Sequence, residues 1–360
     1  MNSSAQGPFP HVHIVGCGLL GTSLGLALRQ RGVEVTLSDL SPSALALAVD
    51  YDAGVVRTEA TPLPELVVIA TPPDVVATLV GDMLRMFPAS TVIDVASVKQ
   101  AIYRDISGDV SRFVGTHPMA GRERGGAVSG RSDLFTGRPW VICEGDAGLR
   151  AHITAFVLAL GAIPIDMTAA DHDEAVALVS HLPQVVSTLS AARLGHATPE
   201  ALSLAGAGVR DVTRIAASDP GLWVQIVSAN HSALLTHLRA LRGDLDSVIE
   251  ALQDISAKGA KAALAARFHE GVAGVSKLPG KHGVSSQLAS LLVVIDDSPG
   301  ELARLLTQLG QWDVNVEDLR LEHSPGANIG FAELSLAQGV VASVEEKLVK
   351  KGWKISGEME

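Results

Sequence analysis

From residue 11 onward the chain alternates short apolar runs with amphipathic stretches. The apolar runs fall at 12–15, 33–38, 66–70, 90–95, 113–116 and 140–143, each bounded by turn-forming residues. Runs of that length predict buried strands. Residues 23–31 keep helical spacing and stop near Gly32. Strands alternating with helices predict a parallel sheet with crossover helices. After about residue 165 the pattern becomes helical, over 173–194, 222–241 and 245–266, with Pro183 expected to kink the first of these. Residues 271–286 read GVAGVSKLPGKHGVSS, the composition of a linker. Beyond it come strand 288–295, helix 301–311, strands 314–322 and 331–336, helix 341–351 and strand 353–357. That βαββαβ order predicts a small ferredoxin-like sandwich.

The 360 residues exceed what one hydrophobic core usually organises, so several domains are expected. The net charge of −11 gives no support for binding nucleic acid or an anionic membrane. Cys17 and Cys143 stand in no redox or metal spacing, and the twelve histidines form no HxxxH array, so neither disulfide nor metal is expected. The run 66–70 ends at Thr71-Pro72-Pro73-Asp74, and no apolar run reaches the roughly 18 residues of a membrane span. No basic segment precedes an apolar stretch at the N-terminus. A cytoplasmic protein is expected.

One motif sits where the first predicted strand meets the first helix: Gly16-Cys17-Gly18-Leu19-Leu20-Gly21. The first glycine permits a tight turn, the second admits a pyrophosphate to the backbone, and the third lets helix pack on strand. The helix dipole then faces the phosphates, with Leu19 and Leu20 in the first turn. Asp39 ends the second strand, where a carboxylate binds ribose hydroxyls and repels a 2′-phosphate. This selects NAD over NADP, with Thr71 a further contact and Arg57 read as a surface charge. The expected fold class is α/β: a Rossmann-type dinucleotide-binding domain (11–165), an all-α dimerisation and substrate domain (166–275), a linker (276–286) and a C-terminal βαββαβ domain (287–360).

Four further strings occur in order: Asp94-Val95-Ala96-Ser97-Val98-Lys99; Gly115-Thr116-His117-Pro118-Met119-Ala120-Gly121; His172-Asp173 with Ser180-His181-Leu182-Pro183; and Arg210-Asp211-Val212-Thr213-Arg214 with Ser218-Asp219-Pro220 and Trp223. Over residues 11–280 the chain resembles the prephenate and arogenate dehydrogenase family. The C-terminal unit, with Asp297-Ser298-Pro299-Gly300 at its first turn, looks like an ACT domain. The resemblance implies NAD-dependent oxidative decarboxylation of prephenate to 4-hydroxyphenylpyruvate, in a homodimer, with tyrosine as effector. It implies His117 as the base that takes the ring hydroxyl proton, a task suited to imidazole. Ser97 would bond the same hydroxyl, Arg214 would hold a carboxylate, and His181 and Trp223 would line the substrate pocket. Asp297, Pro299, Gly300 and Asn315 would hold an amino-acid effector.

Each residue also has a plainer reading. Ser97 could cap the helix starting near Val98, Arg214 could pair with Asp211, and Trp223 could be core. Lys99 reads as structural. His172 lies nine residues before His181, on the opposite face of an unkinked helix, and reads as a helix-start residue. Gln184 stands where many relatives carry histidine, Ala207 where glycine is common, and Arg122 and Arg124 where residues are smaller or acidic. Two other functions share the layout. A β-hydroxyacid dehydrogenase would need a lysine early in the helical region and would leave His117 unexplained. An NAD-sensing binding protein would leave Ser97, His117 and Arg214 without a task.

Overall fold

The structure is a computed structural model that describes residues 8–121, 125–278, 288–323 and 329–355. Arg122, Arg124 and residues 279–286 of the expected linker lie outside the described residues. The chain divides into two compact units, one of residues 1–198 and 212–242, the other of residues 199–211 and 243–360.

The first unit opens with β1 (His11–Val15), α1 (Leu19–Arg29), β2 (Glu34–Ser38), α2 (Pro42–Asp50), β3 (Val55–Val56), β4 (Leu66–Ile69), α3 (Pro73–Met86) and β5 (Thr91–Asp94). It continues with α4 (Gln100–Asp105), β6 (Phe113–Pro118), β7 (Pro139–Ile142), α5 (Ala147–Ala159) and β8 (Ile163–Asp166). The sheet order is β3-β2-β1-β4-β5-β6-β7-β8, parallel except where β7 runs against β6. The order reverses between β1 and β4, so a crevice opens at their carboxyl ends, where doubly wound sheets bind ligands. Val12 and Ile14 join the core on one face, and every residue of β4 is buried. Each such side chain contributes about 1.5–3 kcal/mol by leaving water.

A helical region follows: α6 (Ala169–Val176), a π-turn (Ala177–His181), α7 (Leu182–Leu194), α8 (Pro199–Ser203), α9 (Ala207–Thr213), α10 (Pro220–Ala229), α11 (His231–Gln253) and α12 (Ala260–Val275). The breaks differ from those expected at 241–245. One helix ends at Asn230, whose amide is drawn into buried side-chain bonds. The next runs through Gly243 and stops at Asp254, where the carboxylate accepts from Ser256 and Ala257, before Gly259 at φ +97. The continuous run Ala169–Leu194 is long and apolar enough to cross a membrane by composition, but it buries His172, Asp173 and His181.

In the second unit β9 (Leu288–Asp296), α13 (Glu301–Gln311), β10 (Asp318–His323), β11 (Ile329–Ala337), α14 (Gln338–Lys350) and β12 (Lys354–Ile355) build an antiparallel sheet ordered β10-β11-β9-β12. Alternate residues of β11 are buried, from Gly330 to Leu336, against Leu305 and Leu309 of α13 and Leu348 of α14. β10 begins at Asp318, four residues later than expected, which leaves Asn315 in the preceding loop with its amide donating to Glu317. Gly300 caps α13 in the left-handed region at φ +97, directly after Asp297-Ser298-Pro299.

Candidate active site

The turn between β1 and α1 is built around its glycines. Gly16 sits at φ +104, and a Cβ there would lie 2.4 Å from the carbonyl oxygen of Ala70. A Cβ on Gly21 would lie 1.9 Å from the carbonyl of Gly16. Gly18 faces open space. Helix α1 spans eleven residues from Leu19, so its first amides present a positive end to that space. Asp39 closes the turn: one carboxylate oxygen accepts from the Cys17 N–H at 2.6 Å, the other from the Ser41 N–H at 2.7 Å. The Thr71 hydroxyl is buried in the same wall without a partner. An open backbone approach at a helix N-terminus, a fixed carboxylate at the end of β2 and an unpaired buried hydroxyl fit a dinucleotide. Arg57 is engaged elsewhere, with its guanidinium 4.7 Å from the Phe87 ring centre and a bond to the Pro62 carbonyl.

From this turn a cleft of about 660 Å³ runs past the ends of β4, β5 and β6 to the helical region, lined among others by Ser97, His117, His181, Arg214 and Trp223. His117 lies near the end of β6, and Ser97 lies beyond β5. Arg214 begins a single 3-10 turn, Arg214–Ala217, and Trp223 sits on α10. Ser97 does not cap α4; the first amides of that helix, Lys99 N–H and Gln100 N–H, are taken by Asp173 at 2.8 and 2.9 Å. The two oxygens of one carboxylate, offered by α6, satisfy that helix end better than a serine within its own loop.

The π-turn explains how His172 and His181 reach one site. Pro183 has no N–H to return to the preceding turn, and Ala177–His181 winds wider before it. The extra residue rotates His181 out of the opposition that an unbroken helix would impose. Asn230 then ties α6 to His181: its amide donates to the Asp173 carbonyl at 2.7 Å and to His181 Nδ1 at 3.2 Å. An acceptor at Nδ1 puts the His181 proton on Nε2. The ring stands edge-on to Trp223, centroids 6.0 Å apart. Burial, partly offset by Asp173, pushes His181 down to about 4.

Behind His117 lies a chain of polar groups. His117 Nδ1 is 2.8 Å from His172 Nε2, and His172 Nδ1 is 2.8 Å from Asp173 Oδ1. Burial holds the His117 imidazole well below its ordinary 6.5, and the charges of His172, Lys99 and His181 act in the same direction. Lys99 is fully buried and paired with Asp94, which also accepts from the Ala96 and Thr116 amides. Burial raises the Asp94 carboxyl, against the pull of that ammonium. The Thr116 hydroxyl donates to the Asp94 carbonyl at 2.6 Å and accepts from Trp140 Nε1 at 3.0 Å. The ends of β5, β6 and β7 are thus tied together under His117, and Lys99 is the pin. The sequence pattern marks His172 and Asp173 only as helix-start residues and points to no chemistry for either. The His172-Asp173 dipeptide was visible, but its contact with His117, 55 residues away, was not.

Residues 24–161 match the nucleotide-binding domain of prephenate dehydrogenases, and residues 168–270 match their dimerization domain. A probable prephenate dehydrogenase, NovF of Streptomyces niveus, is 33% identical over 354 residues, covering 94% of this chain and 98% of its own. The crystal structure of prephenate dehydrogenase from A. aeolicus in complex with hydroxyphenyl propionate and NAD+ superposes with a TM-score of 0.64 at 26% identity, covering 73% of this chain and 97% of that one. Synechocystis arogenate dehydrogenase gives 0.60 at 29%, covering 73% and 99%.

Proposed function

The chain belongs to the prephenate dehydrogenase family, an NAD-dependent one, and from that premise we propose that it oxidatively decarboxylates prephenate to 4-hydroxyphenylpyruvate for tyrosine biosynthesis. The observation that carries the reading is one cleft lined together by Gly18, Ser97, His117, Arg214 and Trp223. NAD, when bound at the Gly16–Gly21 turn, supplies the hydride acceptor. His117 takes the proton of the ring hydroxyl as that carbon is oxidised. Ser97, free of any capping duty, hydrogen-bonds the same hydroxyl and steadies it. Arg214 pairs with a substrate carboxylate, and His181 offers its Nε2–H as a neutral donor. Gly18, Leu19, Leu20 and Thr71 hold the phosphates, and Asp39 the adenosine ribose.

The dimerization domain supports a homodimer, and we assign the protein to the cytoplasm. The C-terminal unit serves as an ACT-like regulatory domain: its turn Asp297-Ser298-Pro299-Gly300 leads into the N-terminus of α13, and Asn315 lies on the loop before β10. We assign tyrosine as its effector. Removing residues 283–360 is expected to leave turnover and abolish the tyrosine response; equal inhibition of the shortened enzyme would place tyrosine in the cleft instead.

The deciding experiment is steady-state turnover of prephenate and of arogenate with NAD and with NADP, following reduced cofactor and released carbon dioxide. Preference for prephenate with NAD is expected. Preference for arogenate would move the assignment to the amino substrate, and turnover of neither would end it.

A further inference from the structure

We infer that His172 and Asp173 act on His117 as a proton relay, so that the base of this site is two imidazoles backed by a carboxylate. The inference rests on the reaction proposed above and adds two positioning residues to it.

The tautomers follow from the fixed end of the chain. The Asp173 carboxylate already accepts from two backbone amides, Lys99 N–H on Oδ1 and Gln100 N–H on Oδ2. Facing those donors it is an acceptor, so His172 Nδ1, 2.8 Å from Oδ1, must donate. A neutral imidazole has one N–H, and His172 Nε2 is therefore a lone pair. His117 Nδ1, 2.8 Å from that lone pair, must donate in turn. The proton-free nitrogen of His117 is then Nε2, the one not committed to this chain, on a residue that lines the cleft. Each ring is locked in the form that makes His117 a base, and the lock is set by a helix N-terminus from another part of the sheet.

The surrounding charges decide where a proton taken from substrate can rest. Lys99, from the segment before α4, opposes charge on His117, and so does His181 from the π-turn. Asp94 neutralises part of the Lys99 field. Cys143, next to the end of β7, is neutral, its thiol pushed up to about 12 mainly by burial. Among the described residues, the carboxylate in line with His117 is Asp173, and it is reached through His172.

The O–H bond of the ring hydroxyl breaks and its proton binds His117 Nε2, while the hydride leaves the same carbon for NAD. The Nδ1 proton of His117 passes to His172 Nε2, making His172 the imidazolium beside Asp173. When the ring carboxylate departs as carbon dioxide, its bonding pair aromatises the ring. The oxygen recovers a proton by the reverse path. No net proton is released, which suits a base that lends its proton to a neighbour instead of to water.

The test uses the full-length enzyme with His172→Phe and His172→Gln. Phenylalanine removes the relay at similar size; the glutamine amide oxygen can accept from His117 Nδ1 but cannot carry the proton. His172→Phe is expected to lower kcat about 100-fold, with substrate KM and NAD affinity changed by less than about threefold and thermal unfolding checked in parallel. Its acid limb in kcat against pH should move, because His117 then titrates without the neighbouring ring that accepts from its Nδ1 and, when charged, opposes it. His172→Gln should recover about tenfold of the loss by restoring the tautomer. Wild-type kcat and an unmoved limb in His172→Phe would overturn the relay, and so would glutamine performing no better than phenylalanine. Imidazole nitrogen NMR of the wild-type enzyme should show His117 protonated at Nδ1; protonation at Nε2 would overturn the relay even in an enzyme that folds and turns over. That spectrum needs no substrate, so failure of the reaction assignment and failure of the relay are read separately.

Discussion

The carboxylate of Asp39 holds the backbone N–H of Cys17 at 2.6 Å, so the residue we propose for the adenosine ribose also fixes the glycine turn. The two tasks can be separated. Asp39→Asn keeps an oxygen for the Cys17 amide and removes the charge that repels a 2′-phosphate. Wild type should favour NAD over NADP in kcat/KM by about 100-fold, and the substitution should cut that ratio to about tenfold or less with little change in melting temperature. Asp39→Ala should weaken both cofactors, since it also frees the turn. A wild type indifferent to the 2′-phosphate would remove Asp39 as selector.

Arg214 makes a different kinetic prediction. A carboxylate held alike in ground and transition states contributes uniform binding. Arg214→Gln should raise substrate KM by about 10- to 100-fold while kcat falls less. An unchanged KM would place the substrate carboxylate elsewhere in the cleft.

His117 should reveal itself in both rate and pH. His117→Asn is expected to lower kcat by about 10²–10⁴-fold with NAD affinity kept, as for a lost general base. Because burial and neighbouring charges hold the imidazole well below 6.5, the base form persists as the medium is acidified. The free-enzyme profile, kcat/KM against pH, should stay level through pH 6.5 and fall only well below it. A limb centred at or above 6.5 would contradict the burial of this histidine.

The sheet and its glycine turn were legible because both are local: β1, the turn and α1 lie in consecutive residues, and period and glycine spacing report them directly. The gathering of Ser97, His117, His181, Arg214 and Trp223 was expected only through resemblance, since no periodicity joins segments so far apart. Three features escaped. The π-turn at Ala177–His181 depends on how Pro183 is accommodated, and helical spacing assumed a uniform winding. The helix break at Asn230 is caused by buried partners, Asp173 and His181, on another helix. Lys99 reads in sequence as structural, but its partner does not show there; only the folded sheet buries it against Asp94.

A last prediction concerns stability, far from the chemistry. His13 is buried on β1, with Nδ1 3.0 Å from the Thr36 hydroxyl, Nε2 3.1 Å from the Ser38 hydroxyl, and its ring edge-on to Phe87. Burial, then the nearby Arg57 charge, pulls it from 6.5 down to about 4. The folded protein therefore keeps His13 neutral where the unfolded chain protonates it. Above pH 6.5 the two states bind the same number of protons and the fold loses nothing. Between 6.5 and about 4 the unfolded state binds one more, so stability falls with pH by up to about 1.4 kcal/mol per unit. Most carboxylates stay ionised down to pH 5, which isolates the histidines in that window. From pH 7.5 to 5.0 His13 should cost the fold about 2 kcal/mol. His13→Gln keeps a donor and an acceptor for Thr36 and Ser38 but does not titrate, so urea unfolding at the two pH values should show the drop reduced by about that amount. An equal drop in the variant would mean that His13 is protonated in the folded state, or that its burial is relieved before unfolding.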